Sequence, residues 1–185
     1  MRVLVFAGSL RKASWNKKLA ALAAEEARAA GAEVDLADFR EFELPVYDGD
    51  LEEASGVPAG GQTLTGRIAA AQALIVSTPE YNGSIPGPLK NAIDWVSRVK
   101  PNVLRHKPVL LLSTSPGIMG GGRGIWAVRV PFEVLAAVVW PEMLSVPRAP
   151  EAFDAEGKLR DAGQVKRLSG LVRDFLGAAA KLGAG

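Results

Sequence analysis

Two short stretches carry most of the residues able to do chemistry. Residues 8–16, GSLRKASWN, place Ser9, Ser14 and Asn16 beside Arg11 and Lys12. Short polar side chains around a guanidinium fork suit an anion, and a helix beginning near residue 16 would aim its free amides and positive dipole end at the same point. The composition is that of a phosphate cradle. It also admits a plainer use, in which Ser14 or Asn16 caps the helix and Arg11 and Lys12 are solvated. The second stretch is residues 79–98, PEYNGSIPGPLKNAIDWVSR. Asn82 and Gly83 make a turn pair, while Pro79, Pro86 and Pro88 fix the path on either side. A loop so stiffened presents backbone amides in fixed directions, and Tyr81 adds an aromatic surface and a hydroxyl. The bland alternative is a well-made surface turn with an incidental tyrosine.

Other chemistries are excluded by composition. None of the 185 residues is cysteine, which removes disulfides, thiolate metal sites and cysteine redox chemistry; any electrons moved must travel on a cofactor. His106 is the one histidine, and with no carboxylate or cysteine cluster beside it a structural role is expected, not a triad or a metal site. The first loop lacks the lysine-serine/threonine ending of a Walker loop and the three spaced glycines of a dinucleotide fingerprint. Lysine plus arginine number 22 against 20 acidic residues, a net charge of +2, so no charge block argues for nucleic acid or a membrane surface. No leader pattern and no apolar run of roughly 18 residues is present, so a soluble, cytoplasmic protein is expected.

The two loops need a scaffold. Apolar runs at residues 2–7, 73–77 and 107–113 predict buried parallel strands, residues 33–37 a second strand by alternation, and residues 142–146 a fifth. Between them, helical patterns cover residues 16–30, stopped by Gly31, then 62–71, a stripe of Leu89, Ala92, Ile93 and Val96 ending near Arg98, and 125–139 with Pro131 inside. A last amphipathic helix carries Leu168, Leu171, Val172, Phe175 and Leu176. Residues 39–61 are a long connection of low legibility, residues 114–124 a third loop with three consecutive glycines, and residues 147–163 irregular. The β-then-α rhythm predicts one α/β domain over residues 1–185, a doubly wound five-stranded parallel sheet of strand order 2-1-3-4-5. In that order the loops after strands one and three flank the switch point and share one crevice.

Residues 79–98 and the group Gly8, Ser9, Leu10, Arg11, Ser14 and Asn16 resemble the flavin-ring loop and the phosphate loop of the NAD(P)H-dependent FMN reductase family, a flavodoxin-like group of quinone, chromate and azo-dye reductases. The likeness runs from Val3 to about Val146. It implies FMN, with NADPH or NADH as hydride donor. It also implies that Ser9, Arg11, Ser14, Trp15 and Asn16 meet the phosphate, that Pro79, Glu80, Tyr81, Asn82 and Gly83 meet the ring, and that Ser115 and Gly117 close a further side. Glu80, beside an electron-rich ring, is expected to turn its side chain away. The implied partners are a small-molecule electron acceptor and a second copy, as a homodimer or a dimer of dimers, with the helices after strands three and four in contact and Trp95 as an anchor. Trp15 and Pro131 depart from the family pattern. A flavodoxin-like electron carrier is the alternative, disfavoured by the absence of an acidic docking charge. A phosphate-binding hydrolase on this sheet would lack its nucleophile and base.

Overall fold

Valine, leucine and isoleucine fill the central runs of the sheet, and in the computed structural model, which describes residues 1–182, residues 3–7, 73–77 and 108–114 are buried, while residues 33–37 form a partly exposed edge. In chain order the elements begin with β1 (Arg2–Ala7), α1 (Trp15–Ala29) and β2 (Glu33–Ala37). A single 3-10 turn (Phe39–Glu41), α2 (Gly49–Ser55) and α3 (Ala59–Ala70) precede β3 (Ala73–Ser77) and α4 (Gly87–Arg98). Then come β4 (Pro108–Thr114), α5 (Gly122–Val134), β5 (Val138–Val139), β6 (Leu144–Val146), α6 (Ala149–Ala152) and α7 (Ala162–Leu182). The strand pairings are parallel, in the order β2-β1-β3-β4-β5, with β6 also on β4. This is the expected doubly wound order. One core packs α1 and α7 on one face; the other packs α3, α4 and α5 on the opposite face.

Three expectations need correction. The fifth strand is two pieces: β5 pairs Val138 and Val139 with Pro108 and Val109, and β6 pairs Leu144 with Leu112. Trp140 still donates its N–H to Val109, but Pro141 has none to give, so the ladder breaks there. The helix predicted over residues 125–139 spans Gly122–Val134. It closes with a Schellman pattern, Ala136 N–H to Glu133 and Ala137 N–H to Phe132, around Ala136 at φ 61°. Trp95 is wholly buried and donates its indole N–H to Pro45, so it anchors the chain to itself, not to a second copy.

Helix α3 starts at Ala59 behind Pro58, three residues earlier than its apolar pattern suggested. Residues 147–163 contain α6 and a bridge between Phe153 and Leu159. For the site, the decisive feature is register. Ala7 pairs with Ser77, Ser77 with Leu112 and Ser113 with Ser145, so the loops after β1, β3 and β4 leave the sheet at one level along its carboxyl edge.

Candidate cofactor site

The first loop begins at Gly8, whose N–H donates to Ser77 at 2.9 Å, and Gly8 is forced to be small: a Cβ there would sit 2.8 Å from Leu89 of α4. The loops after β1 and β3 therefore touch. From Leu10 to Asn16, seven consecutive backbone N–H groups have no acceptor among the described residues. A helix start alone orphans four. Ser14 is the N-cap of α1, yet its hydroxyl makes no capping bond, and Ser9, 3 % exposed, likewise makes no side-chain hydrogen bond. The capping use of Ser14 is thus not the one adopted. Arg11 is exposed with no carboxylate partner among the described residues.

Asn16 and Trp15 do something else with their side chains. Asn16 is buried; its Oδ1 accepts from the Ser77 hydroxyl at 2.9 Å and the Thr114 N–H at 3.1 Å, and its Nδ2 donates to the Thr114 carbonyl at 2.9 Å. It is a clamp joining α1 to the ends of β3 and β4. The Trp15 ring packs on Phe153 at 5.5 Å, with the Lys18 ammonium 4.2 Å above it. Both residues can offer a ligand their backbone N–H groups, while their side chains are largely spent on the fold.

The second loop is fixed at every step. Thr78 donates its N–H to Leu112 and its hydroxyl to the Pro79 carbonyl at 2.9 Å, while its own carbonyl accepts from the Ser113 hydroxyl. Tyr81 and Ser84 exchange both backbone bonds across Asn82 (φ 52°) and Gly83 (φ 74°), a two-residue hairpin that needs positive φ at both central positions. Tyr81 is 49 % exposed. The N–H groups of Glu80, Asn82 and Gly83 have no acceptor among the described residues. The Glu80 carboxylate turns to the third loop, accepting from the N–H of Arg123 at 2.9 Å, the N–H of Gly124 at 3.3 Å and the Arg123 Nε at 2.7 Å. Burial pushes its pKa up, but the bonds from Arg123 and Gly124 outweigh this and hold it below the ordinary glutamate value.

The third loop brings Ser115 and Gly117 to the same edge. Ser115 bonds Val146 and Ala149 through its backbone, Gly117 accepts from Gly120 and Arg148, and the N–H groups of Gly117, Ile118 and Met119 are unspent among the described residues. Gly121, at φ 85°, lies where a Cβ would come 1.9 Å from the Ser113 hydroxyl. His106 lies before β4, at the opposite end of the sheet, exposed and at φ 61°.

Unspent amides on three converging loops, two free hydroxyls and an exposed guanidinium make an arrangement suited to an anion. The profile of the NADPH-dependent FMN reductase family matches residues 1–151. The chain belongs to that family. A quinone reductase of Escherichia coli is 35% identical over 180 residues, 95% of this chain and 93% of that protein. An Arabidopsis thaliana NADPH:quinone oxidoreductase is 36% identical over 91% of this chain and 86% of its own. Among solved structures, the flavoenzyme NAD(P)H:(acceptor) oxidoreductase FerB of Paracoccus denitrificans superposes with a TM-score of 0.83 at 32% identity, covering 97% of both chains. As a member of the FMN reductase family the protein is an FMN-dependent NAD(P)H oxidoreductase. Beside the FMN reductase loops, a cleft of about 380 Å³ opens between Leu10, Arg40, Phe42, Leu44 and Pro88. Residues 39–44 belong to the stretch that is least legible in the sequence, and the cleft forms where they pack beside Leu10 and α4.

Proposed function

We propose that the loops after β1, β3 and β4 hold FMN and that this chain, acting as one domain, reduces quinones or other small electrophiles with NADPH or NADH. The observation that carries the reading is the set of unpartnered amides at residues 10–16 and at Glu80, Asn82 and Gly83. Donors held in fixed directions with no protein acceptor are ready to bond a ligand in place of solvent. Bound FMN would supply hydride acceptance and release, the chemistry that the side chains themselves lack. Arg11, the Ser9 and Ser14 hydroxyls and the amides at the start of α1 would take the phosphate. The amides of Glu80, Asn82 and Gly83 would face the ring, where fixed donors favour an electron-rich edge. Ser115 and Gly117 would border it. No side chain is needed to move a proton, and the lone histidine stands at the far end of the sheet.

No helix among the described residues is long and apolar enough to cross a membrane. We place the protein in the cytoplasm, where the NAD(P)H pool lies, and infer that it is a homodimer or a dimer of dimers. Trp126, Val130 and Val134 recur every four residues on α5 and are 64 %, 60 % and 78 % exposed, and Ile118 and Met119, in the loop before α5, are exposed as well. Arg129 and Glu133 on the same helix neutralise each other, so the stripe carries no charge to repel its own copy. Light scattering is expected to give a dimer or larger for the chain and a smaller species for Val130→Asp.

The test of the main reading is optical. The purified chain, given FMN, should show the visible flavin band, and anaerobic NADPH should bleach it, with a quinone restoring the colour. Persistence of the band under NADPH would favour a flavodoxin-like electron carrier.

A further inference from the structure

We infer that Glu80 and Arg123 form a charge-neutral latch that sets both the geometry and the electrostatics of the ring loop, making Glu80 a positioning residue for the flavin. This deepens the FMN reading and rests on it. A carboxylate next to a cofactor that becomes more electron-rich on reduction is unfavourable, and the loop nevertheless carries one. Its environment shows how that is tolerated.

The Glu80 side chain is 9% exposed and faces the start of α5. There it accepts from the first-turn amides of Arg123 and Gly124 and from the Arg123 guanidinium, with Nη2 at 2.6 Å. The positive end of a 13-residue helix and a guanidinium thus both cancel its charge. The approach is close enough to exclude any side chain at Gly124, where a Cβ would lie 2.9 Å from the Pro79 carbonyl and 3.0 Å from Glu80. A second constraint is Gly121, whose φ of 85° and proximity to Ser113 route the chain into α5. Glu80 is 43 residues from Arg123, so the bond ties the ring loop to the third loop directly. Arg123 is 65% exposed in its side chain.

The two halves of the latch have opposite charges, so removing them one at a time must move the flavin in opposite directions. Arg123→Met leaves a poorly solvated carboxylate at the ring loop, which disfavours the reduced flavin. Glu80→Gln leaves the guanidinium and the helix end uncompensated, which favours it. A latch that acted only as a mechanical tie would weaken FMN binding in both variants without this reversal.

The experiment compares the FMN-loaded wild type, Arg123→Met, Glu80→Gln and the double variant by spectroelectrochemistry, with FMN affinity measured on the apo chain. The midpoint potential should fall in Arg123→Met, rise in Glu80→Gln and return toward wild type in the double variant, and each single variant should bind FMN about tenfold more weakly, the scale of one charge-assisted bond. Hydrogen exchange on the apo chain gives a readout without flavin: the Arg123 and Gly124 amides, and those of Tyr81 and Ser84 in the hairpin, should exchange faster in Glu80→Gln. Shifts of the same sign in both single variants, or none, would overturn the electrostatic role. Unchanged exchange at those four amides would overturn the latch itself. A wild-type chain that takes up no FMN would instead remove the cofactor reading, leaving the exchange comparison to judge the latch.

Discussion

The loop after β2 and the loops after β1, β3 and β4 leave the same edge of the sheet, yet they use their polar side chains in different ways. In residues 38–61 the polar side chains are tied to distant parts of the fold, although the N–H groups of Glu43, Leu44, Val46, Asp48, Gly49 and Val57 have no acceptor among the described residues. Asp38 accepts from Lys17 and from the Arg40 N–H, Glu41 caps the Asp38 N–H and accepts from Arg67, Asn91 and Trp95 hold Pro45 and Tyr47, and Glu52 accepts from Tyr47 and Arg98. In the other three loops the side chains and prolines fix the backbone, while the outward amides are left without acceptors. The difference teaches how a binding loop is distinguished from a structural one. Both are held in place, but the loops of the crevice gather their unspent donors on converging turns beside the exposed Arg11, with few side-chain ties of their own.

Substitutions can break that contrast. The largest effect is expected from Asn16→Ala, because three buried bonds across the β3 and β4 ends are lost and their partners stranded. It should cost about 3 kcal/mol in chemical denaturation and weaken FMN binding as well, since the clamp orders both loops. Retained stability would mean that the clamp is dispensable. Arg11→Ala should do the reverse: stability unchanged, FMN affinity lower by about 2 kcal/mol, or about 30-fold, with little loss for riboflavin, which has no phosphate. Equal losses for both ligands would remove Arg11 from the phosphate.

A smaller effect is expected from Arg67→Ala, on α3, which ties down β2 and the start of the loop after it. Arg67 holds Asp35 through two bonds and also reaches Glu41. The pair is partly solvated, so the cost should be about 1 kcal/mol, with FMN affinity untouched. The hydrogen bonds from Arg67, opposed by burial and aided by its charge and that of Arg2, hold the Asp35 carboxyl below the usual aspartate range. A depressed folded value stabilises above the unfolded one and is lost as pH falls through it, so the variant's acid-unfolding midpoint should move to higher pH. An unchanged midpoint would show that the pair contributes nothing.

The same contrast explains what could be read from the sequence. The crevice between the first and third strand loops followed from strand rhythm and from Asn82 and Gly83, whose turn chemistry is local, and Gly31 ended α1 with a Schellman bond to Arg28 as glycine usually does. Ala136 makes the same kind of turn at φ 61° without glycine, so the end of α5 was hidden and β5 with it. Residues 39–61 were opaque because their partners, Arg67, Asn91, Trp95 and Arg98, lie far along the chain. Asn16 was legible as a site residue by type, but its burial and its bonds to Ser77 and Thr114 depend on the assembled sheet. Glu80 was expected to turn aside; what it turns toward, Arg123 and α5, needed the tertiary structure.

The assignment of the unspent donors after β1 and β3 to FMN is tested most directly by titrating FMN into the isotopically labelled apo chain and following each backbone amide by NMR. The largest shifts should fall on residues 10–16 and on Glu80, Asn82 and Gly83, with residues 45–55 unmoved. Shifts centred instead on Arg40, Glu43 and Leu44, around the neighbouring cleft, would contradict it.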